Sequence, residues 1–149
     1  MLSSLYQKSF LMTTDYLFVF LALIFSAFFS GIEIAFVTAN KLKIALDKKK
    51  GLYSARILSR FLKKPSRFIG TILVGNNITL VIFGIIMATI LKPYIAHITL
   101  NEMAILSLQT IISTFLILVA GEFLPKVLFR IDPNRILSLL IVPLIVIYY

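Results

Sequence analysis

An all-α membrane protein, with three transmembrane helices per protomer and amphipathic juxtamembrane helices, is predicted by three features of this 149-residue sequence. Hydrophobic residues make up 60% of it and charged ones 14%, with a mean hydropathy of +1.01, which excludes a soluble domain wetted on all sides. Three apolar runs, at about 16–38, 68–91 and 103–121, each match the roughly 20 helical residues that cross a bilayer core. Basic residues gather in one segment between the first two runs, the pattern of a short loop retained in the cytoplasm.

The first run comes after the polar stretch Met1 to Asp15, which lacks both a basic signal-type region and a small-residue cleavage pattern, so it is expected to stay in the mature chain. Ten of the fifteen Lys and Arg residues then fall between Asn40 and Arg67, against Asp47 alone. Within 40–66, Leu42, Ala45, Leu46, Leu52, Ile57, Leu58 and Phe61 recur at helical spacing around Gly51, predicting two short amphipathic helices against anionic membrane lipids, the second ended by Pro65. Positive-inside topology accounts for the net charge of +9 without nucleic acid as a partner.

Pro93 is expected to close the second run, and the loop 92–102 is nearly neutral. Lys126, Arg130 and Arg135 lie beyond the third run, on the same side as the first basic segment. The expected topology is multi-pass in the plasma membrane, with the N-terminus outside and the C-terminal end cytoplasmic. Pro133 falls in a turn. The apolar segment 136–149 reaches only about 21 Å as a helix against a core of about 30 Å, so it reads as an interfacial helix or as the edge of an excised domain. No Cys is present, which removes disulfides and thiolate metal sites, and with no Trp the interface anchors fall to Tyr16, Tyr94, Tyr148 and Tyr149.

Polar residues inside the runs are what require explanation. Ser26, Ser30 and Glu33 are spaced i, i+4 and i+7, which puts two hydroxyls and a carboxylate in one arc of the first helix, beside Gly31. The second run holds Gly75, Asn76 and Asn77, with Gly70, Asn77 and Gly84 at seven-residue intervals. In the third, Pro125 has no N–H and its ring excludes the carbonyl four residues back, which frees the oxygen of Gly121 beside Glu122. At about 1.5 Å per residue, Ser30, Asn77, Glu33 and Glu122 all lie roughly 4 to 12 Å to the cytoplasmic side of the midplane. A shared layer of hydroxyl, amide, carboxylate and backbone oxygens suits a hard cation such as Mg²⁺, Ca²⁺ or Na⁺.

Each of these residues also has a plainer reading. Ser and Thr in membrane helices bond back to their own helix, Asn pairs join helices, and the glycines permit close packing, with Gly70 and Gly84 favouring a dimer through helices two and three. Glu33 and Glu122 can reach water or pair with Lys41 and Lys126, and His97 belongs to the outer loop. Only the shared depth favours an ion site. No enzymatic role is expected.

The segments SAFFSGIEIAF (26–36), LVGNNITL (73–80) and GEFLPKVLFRIDP (121–133) resemble, in order and spacing, the three signatures of the transmembrane domain of the CorC/cyclin-M (CNNM) magnesium transporter family. The resemblance implies a homodimer of three-helix protomers that exports Mg²⁺, in several members coupled to Na⁺ entry. It implies ion ligation by Ser26, Ser30, Gly75, Asn77 and Glu122, with Pro125 and Lys126 after that acid. It also implies a cytosolic partner, the pair of CBS modules into which members of the family continue and which this chain is expected to lack. Where family sequences often carry small or polar residues this chain has Ile32, Ile34 and Leu80, so Mg²⁺ binding is better supported than Na⁺ coupling. On this reading Glu33 and Glu122 draw the ion from the cytoplasm, and Ser26, Ser30, Asn77 and backbone oxygens around Gly75 and Gly121 hold it. The alternative is a membrane-anchoring and dimerisation module for a cytosolic nucleotide or Mg²⁺ sensor; a pore former fits less well, since the polar stripes stop short of the outer half.

Overall fold

The computed structural model describes the backbone of residues 2–148 and the side chains of residues 13–148, so the polar side chains before Thr13 and the expected anchor Tyr149 lie outside the described residues. The described chain is helical apart from short connections and has no strands. Three helical stretches are long and apolar enough to cross a membrane: Thr13–Thr38 within α1 (Leu2–Thr38), Pro65–Ala96 (α4), and Glu102–Phe129. The last is α5 (Glu102–Leu116), a π-helical turn (Ile117–Phe123) and α6 (Leu124–Phe129) end to end.

The basic segment folds as the spacing predicts, into α2 (Lys41–Lys49) and α3 (Tyr53–Phe61). The Asn40 side chain caps α2 by accepting from the Lys43 N–H at 3.0 Å, satisfying one of the orphan donors of a helix start. Gly51 makes the turn at φ 84°, a region that side chains with a Cβ avoid.

Two prolines act differently from expectation. Pro65 opens α4 rather than merely ending α3, because at the first helical position its missing N–H has no partner to lose. Pro93 does not close the second span, and α4 runs through it to Ala96. The ring removes one bond near the helix end, where freed carbonyls can turn toward water.

α1 packs against α4 on one side and against the π turn and α6 on the other, and α4 also packs on α5. Two separate apolar clusters result. The outer one is formed by Ala22, Phe83, Met87 and Ile117. The larger inner one joins Phe29, Ile32 and Phe36 of α1 to Phe61 of α3 and Phe68 of α4, the last two stacked with centroids 4.8 Å apart.

The C-terminal apolar segment forms two short helices, α7 (Pro133–Leu139) and α8 (Ile141–Tyr148). One face of this pair is exposed at Leu139, Val142 and Val146, while Leu137, Ile141 and Leu144 fill the inner cluster. Tyr148 closes it, 4.7 Å from the Phe61 ring and under the guanidinium of Arg67. Asn134 clamps the α1–α2 corner, accepting from the Asn40 N–H at 2.9 Å and donating to its carbonyl at 3.2 Å. At the opposite end, the hydroxyls of Tyr16 and Tyr94 meet at 3.0 Å and join α1 to α4.

Candidate functional site

A thin polar layer separates the two apolar clusters. Ser26 and Ser30 have no exposed surface, lying one turn apart on the face of α1 that meets both other spans. The Ser26 hydroxyl is 3.2 Å from the carboxamide oxygen of Asn76 on α4 and 3.4 Å from the Gly121 carbonyl. With a single proton to donate, it shares these acceptors rather than saturating them. Ser30 donates to the carbonyl of Glu122 at 3.4 Å.

The Gly121 carbonyl is available because of the residues just beyond it in the chain. The Leu124 N–H reaches back five residues to Val119, the spacing of a π turn, and Pro125 has no N–H to offer the Gly121 carbonyl. Gly121 itself must be glycine for α1 to approach, since a Cβ there would stand 2.9 Å from the Ser26 hydroxyl and 2.7 Å from Ile117. Gly75 has the same role on α4, where a Cβ would meet the Phe29 ring at 2.5 Å. The Gly75 carbonyl accepts from the buried Thr79 hydroxyl at 2.9 Å.

On the side of this layer toward α2 and α3, Lys126 bridges two acids, with its ammonium 4.0 Å from Glu33 and 3.9 Å from Glu122. The side chains of Glu33, Glu122 and Lys126 are 29%, 25% and 39% exposed, so the charged end of the site is open while the outer cluster seals the other end. Among the described residues no three His, Cys, Asp or Glu side chains come together. The oxygens gathered here are mostly neutral, beside two carboxylates.

The structure thus brings together Ser26, Ser30, Gly121 and Glu122, with Gly75 adjoining and Glu33 joined through Lys126. It does not bring Asn77 to the cluster: that side chain is exposed on the outer face of α4, and Asn76 takes the inward position. Adjacent residues differ by about 100° around a helix, so the two amides cannot serve one site, and the Phe29–Gly75 contact fixes which one turns in. The sequence held the signal. Ile72, Asn76, Thr79, Phe83 and Met87 form one i, i+4, i+7 stripe, and it is the buried stripe. Gln109 is a further residue that the sequence reading does not single out; its amide donates to the Ala88 carbonyl at 2.8 Å and ties α5 to α4.

Comparison with known proteins agrees with this architecture. The UPF0053 inner membrane protein YfjD of Escherichia coli is 31% identical over 122 residues, covering 80% of this chain and 27% of the relative. The UPF0053 protein sll0260 of Synechocystis sp. is 26% identical over 128 residues, covering 80% and 28%. A UPF0053 protein of Haemophilus influenzae is 26% identical over 125 residues, covering 84% and 28%. The chain therefore spans little more than a quarter of the length of these relatives. The model of the cyclin M transmembrane N-terminal domain matches residues 17–149, and the chain belongs to that family.

Proposed function

We propose that this chain is the membrane-spanning part of a Mg²⁺ transporter, acting in efflux, with the polar layer as its ion site. The observation that carries the reading is the meeting of Ser26, Ser30, Asn76 and the Gly121 and Glu122 carbonyls between two apolar clusters, open toward Glu33 and Glu122. An all-oxygen set dominated by neutral groups suits Mg²⁺, which demands six oxygens at about 2.0–2.1 Å and sheds water reluctantly, and binds it weakly enough for release. The partly exposed acids give the ion a cytoplasmic entrance. Movement of the third span about the π turn and Pro125 would shift the two carbonyls together.

A second copy of the chain is the proposed partner in the membrane. Asn77 faces outward between Gly70 and Gly84, and a Cβ at either glycine would touch nothing within 4 Å in the protomer. An amide facing lipid is costly without a partner, and two such faces can satisfy each other. The cytosolic CBS modules of the full-length protein are the proposed partner on the basic side.

Purified chain reconstituted into vesicles with an entrapped Mg²⁺ indicator provides the test, with and without a Na⁺ gradient. Ser30→Ala is expected to abolish Mg²⁺ flux while leaving assembly intact; undiminished flux overturns the site. The second reading, an anchoring and dimerisation unit, is favoured by one observation, the Lys126 ammonium already seated between the acids. It requires that Mg²⁺ give no calorimetric signal with the isolated chain.

A further inference from the structure

The helix α2 buries only Ile44. At 100° per residue Leu42 and Leu46 lie on the opposite side of the helix, with Lys49 bordering them on one flank and Lys43 and Lys50 on the other, while Lys41 and Lys48 fall nearer the buried Ile44. Leu42 is 69% exposed, and the apolar surface continues past the Gly51 turn through Leu52 and Tyr53, the latter 65% exposed. A nine-residue helix held by one buried side chain is marginal in water, since isolated helices shorter than about 12–15 residues do not sustain themselves.

The sequence alone predicts that both juxtamembrane helices turn apolar faces to lipid. The structure divides these roles. The apolar face of α3 (Ala55, Ile57, Leu58, Phe61) is spent on the inner protein cluster, and only α2 and the turn leave theirs unpartnered. α2 also begins three residues after the first span ends at Thr38, within about 10 Å of the membrane boundary it leaves. Among the described residues, the ion pairs of the loop are confined to Lys50 with Asp47.

We infer that α2 and the Gly51 turn form an anionic-lipid clamp, with Leu42, Leu46 and Leu52 inserted among the acyl chains and Lys43, Lys49 and Lys50 holding phosphate-bearing headgroups of the cytoplasmic leaflet. Charge complementarity selects the occupant: an apolar strip bordered on both sides by lysine fits a negatively charged lipid surface. A neutral or basic protein face would leave those ammoniums unpaired. The clamp fixes the α1–α2 corner at a set depth, and through Asn134 it holds α7 there as well. The inference requires only that the chain is membrane-embedded and is independent of the ion it carries.

Because the chain has no Trp, Leu46→Trp supplies a sole tryptophan reporter, and Leu52→Trp a second one in case the first perturbs folding. The whole chain is reconstituted in phosphatidylcholine vesicles containing phosphatidylglycerol, with bromine on the acyl chains of one lipid or the other at equal mole fraction. Brominated phosphatidylglycerol is expected to quench several-fold more than brominated phosphatidylcholine, a preference to which each lysine contributes up to about fivefold. Combined Lys43→Gln, Lys49→Gln and Lys50→Gln substitution, or molar salt, should erase the preference, and soluble glycerol phosphate should not. Equal quenching by the two lipids overturns the inference, as does loss of the preference to glycerol phosphate. Absence of quenching also overturns it: accessibility to aqueous acrylamide then means a solvated face, and shielding from acrylamide means a protein partner.

Discussion

Ser26 on α1 donates its hydroxyl proton toward the carboxamide oxygen of Asn76 on α4 across 3.2 Å, and the same hydroxyl is 3.4 Å from the Gly121 carbonyl on the third span. One side chain therefore links all three membrane helices, in a polar layer that lies between two apolar clusters. Any change in the relative position of the helices is felt first at this point.

Asn76→Ala should loosen the α1–α4 pair by roughly 0.6 kcal/mol and at most about 1.7 kcal/mol, the range for hydrogen bonds between membrane helices. Asn77→Ala, on the exposed face, should leave protomer stability within about 0.5 kcal/mol. Reversible unfolding in mixed micelles measures both. If Asn77→Ala is the damaging change, α4 is rotated by one residue in the working protein.

The glycines divide into two groups. Gly75→Ala and Gly121→Ala introduce a Cβ at 2.5 and 2.7 Å from a packed side chain and should each destabilise by about 1–3 kcal/mol, with loss of Mg²⁺ flux. Gly70→Ala meets nothing within the protomer and should be neutral there. Its effect should be confined to self-association, read by cross-linking in vesicles.

Lys126→Met removes the ammonium that Glu33 and Glu122 share. A Mg²⁺ ion then no longer has to displace it, and calorimetry should register a gain of up to about fivefold in affinity, the scale of a partly exposed ion pair. Weaker binding would mean that the lysine holds the two carboxylates in position instead.

Leu144→Ala tests whether α8 is packed or merely rests on the membrane. The side chain is fully buried in the inner cluster, so a loss of about 2–5 kcal/mol is expected. An unchanged unfolding midpoint would assign the segment to the lipid interface alone.

Length and composition by themselves determined the class, the three spans and the two juxtamembrane helices, because bilayer thickness and loop charge act on the chain locally. The Ser26–Ser30 stripe, the Gly121 carbonyl and Glu122 were legible for the same reason: helical spacing and the missing N–H of Pro125 are local facts. Which of two adjacent amides turns inward was decided only when Phe29 packed against Gly75 and set the rotation of α4. The continuation of α4 through Pro93, the splitting of the C-terminal segment into two helices and the bridging of Glu33 to Glu122 by Lys126 were decided in the same way. The inward amide and the reach of Lys126 to Glu33 depend on neighbours distant in sequence, and a helical repeat of 3.6 residues carries no information about which neighbour arrives.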